Sequence, residues 1–110
     1  MCSNAARVLD YVNGRQQLLT GLIRELVEAE SPSAHPETHD DVRRILRLAL
    51  ADAGFESREA GSLPGEPRHV FARPAQRERG GPIQLIVGHF DTVWPVGTID
   101  ERPFRIDGNV

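Results

Sequence analysis

The stretch Ile83-Gln84-Leu85-Ile86-Val87 restricts the fold more than any other part of the chain. In a strand, successive side chains point to opposite faces. A run that is apolar at every position but Gln84 therefore has two faces to bury, as the central strands of α/β sheets do. The run ends at Gly88 and continues as His89-Phe90-Asp91-Thr92-Val93-Trp94-Pro95. Residues 89 and 91 share one side of an extended chain. An imidazole and a carboxylate thus leave the strand end together, where open α/β sheets place their ligands. Such a pair suits a metal-binding histidine whose second ring nitrogen is held by an acidic partner.

Upstream, Leu19, Leu22, Ile23, Leu26 and Val27 recur at helical spacing, and Tyr11 and Val12 extend that face. Gly14 weakens the middle of this helix and is a point at which it can break in two. It should end near Ser31-Pro32, because a residue before proline resists helical geometry. Residues 31–38 read as a loop. A second helix follows, capped by Thr38 or Asp40. Its stripe is Val42, Ile45, Leu46, Ala49 and Ala53, and Gly54 lies just past its end.

Beyond Gly54 the pattern changes to strands. Phe55–Glu59 is a short strand with one wet face, residues 61–67 are a turn-rich link, and His69–Ala72 is a strand stopped by Pro74. Residues 76–82 form a polar loop with Gly80-Gly81 as a turn. Ile83–Val87 is the strongest strand of the chain. Pro103–Val110 is a further short strand with Asp107-Gly108 as a turn. Helices and strands in one layered system make the class α/β or α+β.

Composition narrows the chemistry. The 110 residues suffice for one small domain. All 13 basic residues are arginines, dispersed among 16 acids for a formal charge of -3. That leaves no lysine nucleophile, no phosphate-loop lysine and no basic patch for nucleic acid. A single cysteine, Cys2, excludes an internal disulfide framework and is expected to be an ordinary terminal thiol. Met1–Arg7 lacks a cationic start followed by an apolar core, and no run reaches membrane-spanning length. The expectation is a cytoplasmic protein without membrane or nucleic-acid partners.

Taken with its flanks, the motif resembles a known family. Gly88-His89-Phe90-Asp91-Thr92-Val93-Trp94-Pro95-Val96-Gly97-Thr98, followed by Pro103-Phe104-Arg105-Ile106-Asp107-Gly108, is similar to the first metal motif of the zinc-dependent aminoacylase/carboxypeptidase superfamily. Asp91-Thr92-Val93-Trp94-Pro95 and Gly97-Thr98 look most like its glutamate carboxypeptidase branch. The order of Glu30-Ser31-Pro32-Ser33, second helix, Ala53-Gly54-Phe55 and strands matches as well, so the resemblance runs from about Leu18 to Val110. It implies the N-terminal part of a zinc exopeptidase catalytic domain, two helices followed by a mostly parallel or mixed sheet.

The resemblance also implies roles. His89 would be a zinc ligand through a neutral ring nitrogen. Asp91 would be a catalytic-site residue that orients and polarises that histidine. Two zinc ions would polarise the scissile carbonyl and activate a water. The substrate would be a small peptide with a C-terminal amino acid, or an N-acyl amino acid. The family's further ligands, its catalytic glutamate and its second domain, often used for dimerisation, have no counterpart here. Residues 1–110 therefore read as the front portion of one metallopeptidase domain, the complete enzyme being a homodimer. Alone, the piece is expected to be inactive and at most a weak zinc binder, since zinc catalysis normally uses three protein ligands. The alternative is a non-catalytic binding or interaction module that keeps the front half of the fold.

Other histidines carry weaker signals. His35-Pro36-Glu37-Thr38-His39 has histidines four apart. However, a zincin requires glutamate directly after the first histidine on a continuous helix, and Pro36 stands there instead. A structural or solvated role is expected for both histidines, and a strand-edge position for His69. Trp94 is read as a core anchor or as part of a cleft rim.

Overall fold

A computed structural model describes residues 3–61 and 63–108. Cys2 and the end of the expected 103–110 strand, positions 109 and 110, lie outside the described residues.

The architecture is mixed α/β, with four α-helices and a two-stranded antiparallel sheet among the described residues. Helix α1 (Asn4–Asn13) is capped by Ser3, whose hydroxyl accepts the Ala6 N–H at 3.2 Å. The chain breaks at Gly14 and Arg15 before helix α2 (Gln16–Glu28). The helical stretch is thus two helices, broken at Gly14, the point of weakness in the sequence. Helix α2 stops at Glu28, and the next residues make a 3₁₀ turn, Pro36–Thr38. Helix α3 (Asp40–Asp52) begins after His39 without a side-chain cap. Thr38 does not cap it: His39 holds the N-cap position, and the Thr38 hydroxyl donates to the His35 carbonyl at 2.8 Å. Asp40 is already the first helical residue. Gly54 at φ 85° closes the helix end, a left-handed position where a side chain would be strained.

Strands β1 (Phe55–Ala60) and β2 (His69–Pro74) pair antiparallel, with Phe55 opposite Pro74 and Ala60 opposite His69. Pro74 sits at the very end of its strand, where the missing N–H costs least. Antiparallel pairing follows from the connection: residues 61–68 make a short return, whereas a parallel pair needs a crossover of a dozen or more residues. The mostly parallel or mixed sheet expected from sequence is therefore not what these residues build. Among the described residues, parallel pairing is limited to one bridge, Pro32 with Thr92.

Helix α3 packs across the hairpin and against α2. Val42 and Ile45 are its buried apolar residues, Leu46 and Ala49 are half-buried, and Ala53 is exposed. Arg43 lies in the same interface, 5% exposed, and would be costly there without partners. It pairs with Asp40 one turn back, and its Nε stands 3.4 Å from Glu59 on β1. Arg47 and Arg68 also approach Glu59, so one strand carboxylate offsets charge from three arginines.

The Ile83–Val87 segment departs furthest from expectation. It forms no strand, and no backbone hydrogen bond joins it to another segment among the described residues. Ile83, Leu85, Ile86 and Val87 are 80–94% exposed. A central strand needs a neighbour on each edge, and among the described residues neither open edge of the β1–β2 pair is joined to this segment. Residues 103–108 likewise form no strand, and Gly108 turns at φ 63°. Tyr11 and Val12, expected to extend the helical core face, are exposed.

The accessible surface reflects these uncovered faces. It is 9599 Å², against roughly 6,100 Å² for a compact monomer of this mass. The radius of gyration is 16.8 Å, against about 13 Å for a compact domain of this length. No helix among the described residues is long and apolar enough to cross a membrane.

Candidate functional site

The candidate site is the loop that follows the apolar run. It is held in place by the tetrapeptide Glu30-Ser31-Pro32-Ser33 just beyond α2. Pro32 bridges Thr92: the Thr92 N–H donates to the Ser31 carbonyl, and the Ser33 N–H to the Thr92 carbonyl, both at 2.8 Å. The buried Ser31 hydroxyl donates to the Phe90 carbonyl at 2.7 Å. Both serine backbones and one serine side chain therefore fix the course of residues 90–92.

Two further contacts complete this clamp. The Glu30 carboxylate accepts the N–H of Gly97 at 2.8 Å and that of Ile99 at 3.3 Å. It thereby ties the end of α2 to the short helix α4 (Thr98–Glu101). Gly97 has φ 97°, a conformation that brings its N–H onto Glu30 and that an L side chain would strain. On the other side, buried His39 donates from Nε2 to the Pro32 carbonyl at 2.8 Å, and its ring meets Phe90 edge-on at 5.8 Å. His39 is thus a structural histidine beneath the loop. His35 is exposed, with its Nδ1 2.9 Å from Glu37.

Within the clamped loop, His89 and Asp91 meet as their spacing suggested. His89 Nδ1 lies 3.1 Å from Asp91 Oδ1 and 3.1 Å from the Asp91 carbonyl. Both neighbours are acceptors only, so in the neutral ring Nδ1 carries the proton. The lone pair is then on Nε2, which has no partner among the described residues. The ring is largely exposed, so this nitrogen faces solvent. The second carboxylate oxygen, Asp91 Oδ2, accepts the Ser33 hydroxyl at 2.6 Å.

These bonds hold the Asp91 carboxyl below the ordinary aspartate range, first through the Ser33 hydroxyl and then through His89. A carboxylate favoured by the fold stabilises the loop at every pH above the unfolded value. That contribution is lost as pH falls through the lower, folded value. Carbon-detected titration of Asp91 should therefore give a midpoint below that of an unstructured aspartate. Ser33→Ala should move the midpoint up, and an unmoved midpoint would contradict the assignment.

His89 supplies one ligand position that fits a metal: exposed, and oriented at Nδ1 by a carboxylate. Among the described residues, no group of three or more His, Cys, Asp or Glu side chains is placed to hold an ion. The residues present thus fit one position of a metal centre and do not complete one. Trp94 is about half exposed, with the Arg102 guanidinium 4.7 Å over its ring, so it is not a core anchor. His69 opens β2 at an exposed position. The sequence singled out His89 and Asp91 but assigned no role to Glu30, Ser31 or Ser33. The available signal was a proline between two serines directly after a helix end. Comparison with known protein families, curated proteins and solved structures returned no match for this chain.

Proposed function

We propose that this chain is the front portion of a zinc exopeptidase catalytic domain similar to the glutamate carboxypeptidases. The reaction would be hydrolysis of an amide bond, in a small peptide beside its C-terminal amino acid or in an N-acyl amino acid. One observation carries the reading: His89 donates from Nδ1 to Asp91 and leaves Nε2 free, held by a loop fixed on residues 30–33. A ligating histidine normally gives its other N–H to a carboxylate or carbonyl, which sets the tautomer and raises its basicity. When bound, zinc would supply Lewis acidity and an activated water.

In this proposal His89 is a metal ligand and Asp91 its orienting carboxylate. The other ligands would come from sequence beyond these 110 residues, and the complete enzyme would be a homodimer. A non-catalytic interaction module is the competing reading, and the uncovered apolar surface of residues 83–87 supports the fragment instead, since neighbours from further sequence would cover it.

The test uses the full-length gene product. Zinc content and hydrolysis of N-acyl amino acids and C-terminal dipeptides are measured with and without His89→Ala. Zinc should fall below the wild-type stoichiometry and hydrolysis should disappear. Full metal content with full activity in the variant would sink the assignment.

A further inference from the structure

We infer that Ser33 is a positioning residue for His89, acting through Asp91. As a device for preparing a metal ligand, it rests on the hydrolase reading above. The arrangement is a three-member chain in which each member leaves the next one orientation. The Ser33 hydroxyl donates to Asp91 Oδ2 at 2.6 Å, and His89 Nδ1 donates to Asp91 Oδ1 at 3.1 Å. The two carboxylate oxygens are thus assigned to different partners, and the carboxylate plane cannot rotate without breaking one bond.

Asp91 on an exposed loop has little else to hold it. Its side chain is about half exposed and takes no other side-chain partner among the described residues. Ser33, by contrast, is anchored. Its N–H is bonded to the Thr92 carbonyl at 2.8 Å, and its hydroxyl also lies 3.0 Å from that carbonyl. The short, charge-assisted bond to Asp91 is the stronger of the two hydroxyl contacts. Positional order therefore passes from the Pro32–Thr92 bridge to Ser33, then to Asp91, then to the imidazole.

The consequence is a fixed tautomer. A free histidine side chain in water favours the Nε2–H form, which offers no lone pair at Nε2. An acceptor held at Nδ1 reverses that preference, because which ring nitrogen is protonated follows from the bond the other makes. The Asp91 backbone carbonyl, also 3.1 Å from Nδ1, favours the same tautomer, and Ser33 holds the charged acceptor in place beside it.

The test is long-range ¹H–¹⁵N correlation of histidine-labelled 110-residue chain in dilute, metal-free solution, at a pH where the imidazole is neutral. The wild-type chain should show His89 mainly as Nδ1–H. Ser33→Ala should lower the ratio of Nδ1–H to Nε2–H by about three-fold, the size of one exposed hydrogen bond to a charged group. Ser33→Thr, which keeps the hydroxyl, should restore it. Protection of the Ser33 and Thr92 amides reports whether the clamp has stayed closed. An unchanged ratio in a closed Ser33→Ala chain overturns the inference, whether Asp91→Ala shifts the ratio or the Asp91 backbone carbonyl alone sustains it. If Ser33→Ala opens the clamp, Ser33→Thr decides: a closed Ser33→Thr chain with the wild-type ratio supports the relay, and one with the free-histidine ratio ends it. No zinc enters this experiment, so a failed metal assay on the gene product and a failed relay remain separate results.

Discussion

Ile45→Ala should cost about 3 kcal/mol of folding stability, lowering the ratio of folded to unfolded chain by roughly two orders of magnitude. Ile45 is 8% exposed on α3, one turn from buried Val42 on the same apolar stripe. Removing three carbons there loses their transfer free energy and leaves a cavity that the surrounding elements fill only in part. The effect should be severe because the buried apolar set is small. Val42 is the other fully buried apolar residue of that helix, and most large apolar side chains on α1 and α2 are exposed. Urea denaturation followed by circular dichroism measures the change. Leu48, on the same helix but 57% exposed, provides the control. Leu48→Ala should stay within about 0.5 kcal/mol of the wild type. Equal losses at both positions would mean that α3 does not bury the face described.

Ile86→Lys should have the opposite character. In a central sheet strand, a buried lysine at this position would be among the most damaging changes possible. Here Ile86 is 94% exposed, so the substitution should leave the denaturation midpoint unchanged. Its effect should fall on association. Unpaired backbone beside exposed aliphatic side chains is a template for other chains, and a charge is a usual means of blocking it. Sedimentation velocity should show concentration-dependent association of the wild-type chain. The onset should move to about ten-fold higher concentration in Ile86→Lys, the equivalent of about 1.4 kcal/mol of contact energy. A wild-type chain that stays monomeric throughout, or a variant that unfolds, would contradict the exposure described for residues 83–87.

What could be read from sequence follows how local each signal is. Helix α3 was legible because Val42, Ile45, Leu46 and Ala49 repeat at helical spacing, and because Gly54 takes the left-handed turn that ends it. Strands β1 and β2 were legible from short runs closed by glycine and proline. The His89–Asp91 contact followed from a separation of two residues and needed no tertiary information. Pairing direction was another matter. An apolar run such as Ile83–Val87 records what a segment can bury, not whether a partner strand is present, so it read as a sheet centre and is found uncovered. The role of Ser33 was hidden because its partners lie 58 and 59 residues away, beyond any periodic pattern. Even Glu30, which looked like the polar end of a helix, is defined by its acceptance of the Gly97 and Ile99 N–H groups.

That long reach has a kinetic side. The bonds from Glu30, Ser31 and Ser33 to residues 90–99 close loops of 59 residues and more, an entropic cost of about 4 kcal/mol before any bond forms. Helix α3 and the β1–β2 hairpin involve separations of only a few to about twenty residues, and such contacts form first. At about 1 kcal/mol net per hydrogen bond, the clamp exceeds its closure cost only narrowly. It is therefore a late-folding, early-opening element. Its loss accelerates unfolding without slowing folding. Any opening of residues 30–33 that leaves the helix–hairpin core folded would therefore release the His89 loop with it.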